Sequence, residues 1–411
     1  MKRIYGALKR KAWDIQSTGL FGSGKTIDDI HKTIYINPQT VVNACDSKSR
    51  RRELGEKSPK SPIKSHGVVA NGDWDKDVVN FEEMDVWHAF KSHFRDGHDW
   101  NTTDFYFRVI GTIQSGQSLW GCEDENAFKK RLAGIDALYQ KIKTSGYQTQ
   151  PELDAGSKNE IFVDQDEVHV NISRKGEILF ADGRHRLCIA KLLGLESIPV
   201  KVGIRHSDWE TFRKDIAFYA HRHGGVYAKL NHPDLQFIDC QHPSDDRFEI
   251  IKRHLPPSRG TLLDIGSHWG FFCQQFTRLG FECTAVEALS HNVRFMKGLR
   301  DAEGLTFKVH SCSIFDIPRP INFEVVLALN IFHHFIKTEE NLGKLKTFLR
   351  DMNTKSMIFQ PHIFDEPQME GSFVNFQPEE FVQFVIEHSS LSNYQKIGTA
   401  IDKRDIFLLA R

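Results

Sequence analysis

The sequence lacks paired cysteines and lacks an excess of either charge, and both absences exclude classes of protein. Its 411 residues contain 54 Lys plus Arg and 54 Asp plus Glu. A dedicated duplex-binding protein would carry a strong basic excess, so the neutral balance argues against nucleic acid as a partner while leaving room for a local basic patch. The seven cysteines include no Cys-x-x-Cys pair. This pattern is typical of reduced thiols in a cytoplasmic protein and excludes a disulfide framework or a structural zinc site.

Long hydrophobic runs are also missing. No apolar stretch approaches the roughly 18 residues that a membrane helix needs. The basic segment 1–13 is not followed by an apolar region, so it does not predict a secretory signal. Its Ile and Leu spacing predicts a short basic amphipathic helix, which is either solvated or makes a weak contact with a membrane surface.

What is present divides the chain into three regions. Residues 1–150 predict a helical region, because apolar side chains recur at three- and four-residue steps from residue 81 onward. Residues 46–66 within it are rich in Ser, Pro, Lys and Arg and predict a flexible basic loop. Residues 151–255 predict an α+β domain. A proline-rich turn then introduces the third region, residues 256–411.

Strands and helices alternate through the third region. This alternation predicts an α/β fold with a parallel, doubly wound sheet, whose ligands bind at the carboxyl ends of the strands. Gly266 and Gly270 allow a ligand to approach the backbone of the turn after the first strand. Glu287, 23 residues after Asp264, ends the second strand and can accept hydrogen bonds from both ribose hydroxyls. The predicted strands cover residues 262–265, 282–286, 306–311, 324–329, 356–360 and 405–410.

The turn reads Leu262-Leu263-Asp264-Ile265-Gly266-Ser267-His268-Trp269-Gly270. It resembles the first motif of the class I (Rossmann-like) S-adenosylmethionine-dependent methyltransferases, over about residues 258–411. His268 replaces the middle glycine of that motif, a departure that favours the methyl donor over NAD. The resemblance implies S-adenosylmethionine as cofactor, ribose binding by Glu287 and an adenine contact by Asp316. The cofactor-binding residues that it implies are Asp264, Gly266, His268, Gly270, Glu287, Asp316 and Asn330.

His333 and His334 follow the fourth strand and are the candidate catalytic bases. A neutral imidazole can take a proton from a hydroxyl while its oxygen attacks the methyl carbon. The alternative is that these histidines cap the next helix or only pack. A phosphate or carboxylate acceptor needs no base, because its oxygen is already anionic. No set of acidic and histidine residues has the spacing of metal ligands, so we expect a metal-independent transfer.

Asp182-Gly183-Arg184-His185-Arg186 lies between a predicted strand and a helix predicted over residues 187–193. Backbone amides at a helix start, two guanidiniums and an imidazole together suit a phosphate. The alternative is a surface turn with salt-bridged arginines. The predicted neighbouring strands are 161–163, 168–172, 177–180 and 198–202.

The segment 177–202 resembles the ParB/sulfiredoxin superfamily, whose members bind nucleotide phosphates at such a motif. The resemblance implies nucleotide binding by Gly183, Arg184, His185 and Arg186. It also makes Asp182 and His185 candidates for phosphoryl transfer from ATP or another nucleoside triphosphate with Mg. Cys188 falls on the apolar face of the predicted helix, which disfavours a sulfinic reductase.

The sequence as a whole therefore predicts an O-methyltransferase fused to a ParB-like nucleotide-binding domain with a kinase activity as one option. The expected acceptor is a hydroxyl or phosphate of a glycan or small molecule. Glycan-capping enzymes that pair a kinase with a methyltransferase offer an analogy. One alternative is a nucleic-acid-targeted methyltransferase that uses residues 46–66 with Arg184 and Arg186. Another is a middle domain that is a non-catalytic sensor.

Overall fold

The structure, a computed structural model, describes residues 33–45, 67–148, 167–255 and 260–411. The predicted helix in residues 1–13, the basic loop 46–66 and the predicted strand 161–163 lie outside the described residues. The chain divides into two compact units, with the division between Thr211 and Phe212. Across the described ranges, every helix is too short or too polar to cross a bilayer.

The described residues of the first unit include a seven-stranded sheet and four complete α-helices. Its order is β1-β7-β5-β6-β2-β4, and β3 pairs with the remaining length of β7. Strand β5 is buried along its whole length and forms the middle of the sheet. The elements are β1 (Thr33–Ile36), β2 (Asn43–Cys45), β3 (Val68–Ala70), β4 (Val78–Asn80), α1 (Asp85–Phe94), α2 (Asp104–Gln114), α3 (Glu125–Ser145), β5 (Val168–Ile172), β6 (Ile178–Asp182), α4 (Arg184–Leu192) and β7 (Ile198–His206).

The expected separation of a helical region at residues 1–150 from the α+β domain differs from this arrangement. Residues 81–145 are mostly helical as expected and form α1 to α3, but four short strands before residue 81 belong to the same sheet as β5 to β7. Strand β1 pairs with β7 from Thr33↔Lys201 to Ile36↔Ile198, and β2 pairs with β6 at Ala44↔Phe180. Strands of three or four residues show almost no alternation in sequence, and β1, β2 and β3 pair with strands more than 100 residues away.

The second unit is a seven-stranded sheet of order β10-β9-β8-β11-β12-β14-β13. Strands β8 to β12 are parallel, as expected for a doubly wound sheet. The described elements from residue 207 onward are α5 (Ser207–His223), α6 (Asp245–His254), β8 (Thr261–Ile265), α7 (Phe271–Arg278), β9 (Glu282–Glu287), α8 (Ser290–Ala302), β10 (Lys308–Ser311), β11 (Ile321–Leu329), α9 (Glu339–Asp351), β12 (Met352–Gln360), α10 (Pro378–Glu387), β13 (Asn393–Thr399) and β14 (Asp405–Ala410).

One edge of this sheet corrects the expectation of a parallel sheet. Strand β14 is antiparallel to β12 and to β13. Residues 400–404 join β13 to β14, and a parallel pair would need a crossover of a dozen residues or more. The result is a mixed sheet with an antiparallel hairpin at its edge.

The core of the second unit lies on both faces of the sheet, which fixes the position of β8. Leu262 and Leu263 point to opposite faces, and neither has any exposed surface. Leu262 packs into one apolar cluster with Phe276 and Cys283, whereas Leu263 packs into the other with Phe359. Because β8 is held on both sides, the turn that follows it has a rigid support.

Candidate functional site

The turn between β8 and α7 depends on glycines. Gly266 has φ +68°, and a Cβ atom there would lie 2.6 Å from Cδ1 of Ile331. Gly270 has φ +80°, and its Cβ atom would lie 2.8 Å from Cγ of Met296. The amides of Gly266 and Ser267 donate to the carbonyl of Val286 at 3.0 and 3.1 Å. The turn is thereby tied to the end of β9.

Glu287 occupies the end of β9 beside this turn. Its Oε2 accepts a hydrogen bond from the amide of His268 at 3.0 Å, and its Oε1 accepts one from the amide of Leu289 at 2.8 Å. The residue is 8% exposed. Each carboxylate oxygen has a further lone pair, so the fixed carboxylate can still accept hydrogen bonds from the hydroxyl groups of a ligand.

The turn and Glu287 form the wall of a cavity of about 400 Å³ at the carboxyl ends of the strands. The predicted residues that line it are Asp264, Gly266, His268, Glu287, Asn330 and His334. Gly270 belongs to the same turn but is not among the residues that line the cavity. Asp316, the expected adenine contact, is exposed at the end of a short 3-10 turn, and Ser313 and Ile314 line the cavity in its place.

Burial shifts the pKa of two groups in this wall. Asp264 is 3% exposed, and its burial raises its pKa to about 7, with a smaller contribution from the charge of Glu287. Within the described ranges, its Oδ2 has no hydrogen-bond partner. Burial lowers the pKa of His268 to about 4, so this imidazole is neutral near pH 7.

The two candidate bases have different surroundings. His333 is 4% exposed, lies outside the cavity lining and has a pKa lowered to about 3 by burial. His334 lines the cavity, where partial desolvation of its ring, followed by the charge of Lys337, lowers its pKa. The ring centroids of the two histidines are 4.0 Å apart. Of this pair, His334 is the one that can meet a ligand.

Several residues before β8 also line the cavity, and the sequence analysis missed them. They include Tyr227, Ser244 and Arg247. A signal for Arg247 exists in the sequence, because it lies on the buried stripe of α6 with Phe248 and Ile251. An arginine on the apolar face of a helix is uncommon unless it is paired or bound to a ligand.

The turn between β6 and α4 in the first unit also requires glycine. Gly183 has φ +83°, and a Cβ atom there would lie 2.8 Å from Cα of Val168. The helix begins at Arg184 and not at residue 187 as expected, because Gly183 caps it directly after the strand. Arg184, His185 and Arg186 therefore form the first helical turn. Cys188 is fully buried, as expected for a core residue.

This turn borders a second cavity of about 450 Å³, inside the first unit. The guanidinium carbons of Arg184 and Arg131 lie 5.7 and 6.0 Å from the ring centroid of Trp120. His185 stacks on Phe90 at 5.7 Å, and burial with the charges of the two arginines lowers its pKa to about 3. His185 therefore brings no positive charge to this cavity near neutral pH. The lining residues are Trp120, Arg131, Leu138, Asp182, Gly183, Arg184, His185 and Arg186.

Two predicted residues of the turn already have partners inside the first unit. Oδ1 of Asp182 accepts a hydrogen bond from the amide of Gly183 at 2.8 Å. The guanidinium of Arg186 lies 5.5 Å from the ring centroid of Tyr147 and donates to the carbonyl of Gln148 at 3.1 Å. Among the residues that the structure describes, no group of three or more His, Cys, Asp or Glu side chains could hold a metal ion.

Part of the chain is similar in sequence to known proteins. No protein-family model matches. The chain is 26% identical over 89 residues to the ubiquinone biosynthesis O-methyltransferase of Rhodopseudomonas palustris strain HaA2, which is 22% of this chain and 35% of that protein. The same enzyme of strain BisB5 is 25% identical over 89 residues, with the same coverage. The chain thus matches about a third of the length of these curated relatives.

Among solved structures, the chain is similar to the bifunctional kinase-methyltransferase WbdD. The identity is 18% and the TM-score is 0.42, over 49% of this chain and 46% of that chain. Both curated relatives are O-methyltransferases, and the match to each of them is confined to 89 residues.

Proposed function

We propose that the second unit binds S-adenosylmethionine and transfers its methyl group to an oxygen atom. The observation that carries the proposal is the carboxylate of Glu287, fixed by two backbone amides at the wall of the strand-end cavity. A fixed acceptor of this kind suits the paired hydroxyls of a ribose. The cavity, at about 400 Å³, is within the range of about 300–1,000 Å³ typical of small-molecule sites.

The residues around the cavity can be given separate roles. S-adenosylmethionine, when bound, supplies an electrophilic methyl group on a sulfonium. The unpartnered Oδ2 of Asp264 and the glycine turn suit the polar end of that ligand. His334 is the proposed base, since its lowered pKa keeps it neutral and able to accept a proton from a hydroxyl. With an anionic acceptor, this base is not needed.

The test is a calorimetric titration of the full chain with S-adenosylhomocysteine. Glu287→Gln removes the negative charge but keeps a carbonyl oxygen for one amide. We expect a loss of about ten- to a hundredfold in affinity, because hydrogen bonds to charged groups contribute about 1.5–3 kcal/mol. Glu282→Gln is the matched control, since Glu282 is exposed at the other end of the same strand. Equal affinities in the two variants would refute the assignment.

We further propose that the first unit is ParB/sulfiredoxin-like and binds a nucleoside phosphate, such as ATP with Mg. Two features of its cavity support this. Arg131 and Arg184 flank one tryptophan ring, and in the described residues neither forms an ion pair with a carboxylate. The N-terminus of α4 lies at the turn that borders this cavity, and the free backbone amides of a helix N-terminus favour phosphate. Asp182 could then hold a metal-bound phosphate during phosphoryl transfer.

Titration with ATP, CTP and GTP in the presence of Mg tests this second proposal. Arg184→Gln should weaken binding by about ten- to a hundredfold, and the affinity of the wild type should fall as salt rises. Lys130→Gln, an exposed position next to Arg131 on α3, is the charge-matched control. Transfer or hydrolysis of the terminal phosphate would support a kinase, and binding without turnover a sensor. Oligonucleotide binding lost in Arg184→Gln would instead support the nucleic-acid alternative.

A further inference from the structure

A further cavity of the first unit lies at the C-terminal end of α4. It has a volume of about 420 Å³ and is lined by Lys191 and Leu192, which belong to the last turn of that helix. The cavity at the glycine turn lies at the other end of α4, and the nine residues of the helix span about 13 Å. The two cavities are therefore separate sites. We call the cavity beside Lys191 the aromatic cavity, after the three rings in its wall.

Three aromatic rings form the apolar part of this wall. Trp87 and Phe94 come from α1, and Tyr139 comes from α3. The rings of Phe94 and Tyr139 are stacked, with their centroids 4.0 Å apart and an angle of 9° between their planes. All three residues are only partly buried, so each keeps some surface open to solvent. Such surfaces suit a flat apolar ring, because stacking removes both partners from water.

Lys191 is a buried lysine in the wall, and its charge is compensated inside the protein. Its side chain is 1% exposed, and Nζ lies 3.0 Å from Oε1 of Glu82. The same nitrogen donates to the carbonyl of Val41 at 3.1 Å and to that of Pro38 at 3.5 Å. The three N–H donors of Lys191 thus have partners, and its charge is balanced by that of Glu82.

Two further basic residues line the aromatic cavity without such a partner. Lys91 follows Trp87 by four residues and Arg95 follows Lys91 by four, so the three side chains lie on one side of α1 and its C-terminal cap. Both basic residues are exposed, and across the described ranges neither forms an ion pair with a carboxylate. Glu82 is the one acid among the described residues that line the cavity, and it is already paired with Lys191. The aromatic cavity therefore carries two uncompensated positive charges.

Neither a neutral ring nor an inorganic ion matches both parts of this wall. A neutral ring would cover the aromatic surfaces but leave the two charges without a counterion, and an inorganic ion would do the reverse. We propose that the aromatic cavity binds a small organic anion that carries an aromatic ring beside a carboxylate or phosphate group. The ring packs on Trp87 and Tyr139, and the anionic group pairs with Lys91 and Arg95. This inference is independent of the functions proposed for the glycine-turn cavity and for the second unit.

Two dyes that differ in one charged group test the proposal on the full chain. The first, 8-anilinonaphthalene-1-sulfonate, carries aromatic rings and a sulfonate that stands in for the anionic group. The second, N-phenyl-1-naphthylamine, has the same rings without the sulfonate. Fluorescence titrations compare the double variant Lys91→Gln/Arg95→Gln with Lys130→Gln/Lys141→Gln, which removes two charges from exposed positions of α3 outside the cavity. Dye bound elsewhere on the chain contributes equally in both variants, so their difference reports the aromatic cavity.

We expect Lys91→Gln/Arg95→Gln to weaken the sulfonate dye by about three- to thirtyfold relative to the control, because two exposed ion pairs are lost. The affinity for the uncharged dye should be the same in both variants. The affinity of the wild type for the sulfonate dye should also fall as salt rises. Equal affinities of the two variants for the sulfonate dye, or an equal loss of both dyes, would overturn the inference.

A single variant tests the contribution of the rings. Tyr139→Leu keeps an apolar side chain but removes the ring, so both dyes should bind severalfold more weakly. Phe107→Leu, at a position of α2 that is 61% exposed, is the matched control. Equal affinities in the two leucine variants would show that the rings do not hold the dye, contrary to the proposal. If Tyr139→Leu does not fold, the charge variants still decide, since they change exposed side chains alone.

Competition with the bound sulfonate dye identifies the anionic group. Phenyl phosphate and phenylacetate carry a ring with a phosphate or a carboxylate, inorganic phosphate lacks the ring, and benzyl alcohol lacks the charge. We expect displacement by at least one of the two aromatic anions, reduced in Lys91→Gln/Arg95→Gln, and the more effective anion identifies the group. Equal displacement by inorganic phosphate or benzyl alcohol at the same concentration, or displacement by none of the four, contradicts the inference.

Discussion

Replacing Gly266 by alanine perturbs the turn on which the proposed donor site depends. The new Cβ atom would lie 2.6 Å from Cδ1 and 2.8 Å from Cγ1 of Ile331, so one of the two residues must move. The backbone at Gly266 also has φ +68°, a conformation that disfavours any side chain. Gly266→Ala therefore lowers the free energy of unfolding in two ways, through atomic overlap with Ile331 and through an unfavourable backbone conformation.

Gly304 separates these costs, because it has φ +62° and no atom within 4 Å of the position that an added Cβ would take. Gly304→Ala should lower the free energy of unfolding by about 1–2 kcal/mol, the cost of a left-handed backbone alone. Gly266→Ala carries the same cost plus about 1–3 kcal/mol for the overlap with Ile331. The expected total for Gly266→Ala is about 2–5 kcal/mol.

A double-mutant cycle with Ile331→Ala tests the origin of the larger cost. Urea unfolding should show that Gly266→Ala loses about 1–3 kcal/mol less in the Ile331→Ala background, because the overlapping atoms are gone. Binding of S-adenosylhomocysteine should also be lost in Gly266→Ala and retained in Gly304→Ala. Equal destabilisation of the two glycine variants, with no coupling between residues 266 and 331, would refute the reasoning.

The remaining predictions concern titratable groups of the same cavity. In the folded protein, the pKa of Asp264 is raised from 3.8 to about 7. Between these two pH values the folded state therefore keeps a proton on Asp264 that the unfolded state has lost. The free energy of unfolding consequently falls as the pH rises from 3.8 to about 7. Urea unfolding from about pH 4.5 to pH 6.5 should show a wild-type stability that declines, relative to Asp264→Asn, by about 1.4 kcal/mol per pH unit, and parallel curves would contradict this. With a hydroxyl acceptor, His334→Ala should lower the methyl-transfer rate about 10²–10⁴-fold without weakening S-adenosylhomocysteine binding, whereas His333→Ala should change the rate far less in any protein that still folds. The reverse order of effects in a methyl-transfer assay would move the base to His333.

The part of the site that could be predicted lies in one continuous stretch. Strand β8 is a run of buried aliphatic residues, the glycines of its turn need a left-handed backbone, and Glu287 ends the next strand. These features are local, so short-range sequence patterns determine them. The same holds for β5, β6 and the glycine cap of α4. The start of that helix was predicted three residues too late, because its first turn consists of the polar residues Arg184, His185 and Arg186.

The features that could not be predicted depend on distant contacts or on fine geometry. Strand β13 has the polar sequence NYQKIGT and is mostly exposed, and only its pairing with β14 makes it a strand. Asp316 does not line the cavity, because the 3-10 turn after β10 places Ser313 and Ile314 in the cavity wall instead. Arg247 is remote in sequence from the glycine turn, and the fold of the second unit alone brings it to the cavity.

The most direct test of the account is a crystal structure of the full chain with S-adenosylhomocysteine. The account predicts ligand density in the cavity beside Glu287, with both ribose hydroxyls within hydrogen-bond distance of its carboxylate. It also predicts that the sulfur faces the side of the cavity lined by Asn330 and His334. Ligand bound away from this cavity, or an empty cavity at saturating ligand, would contradict the central claim.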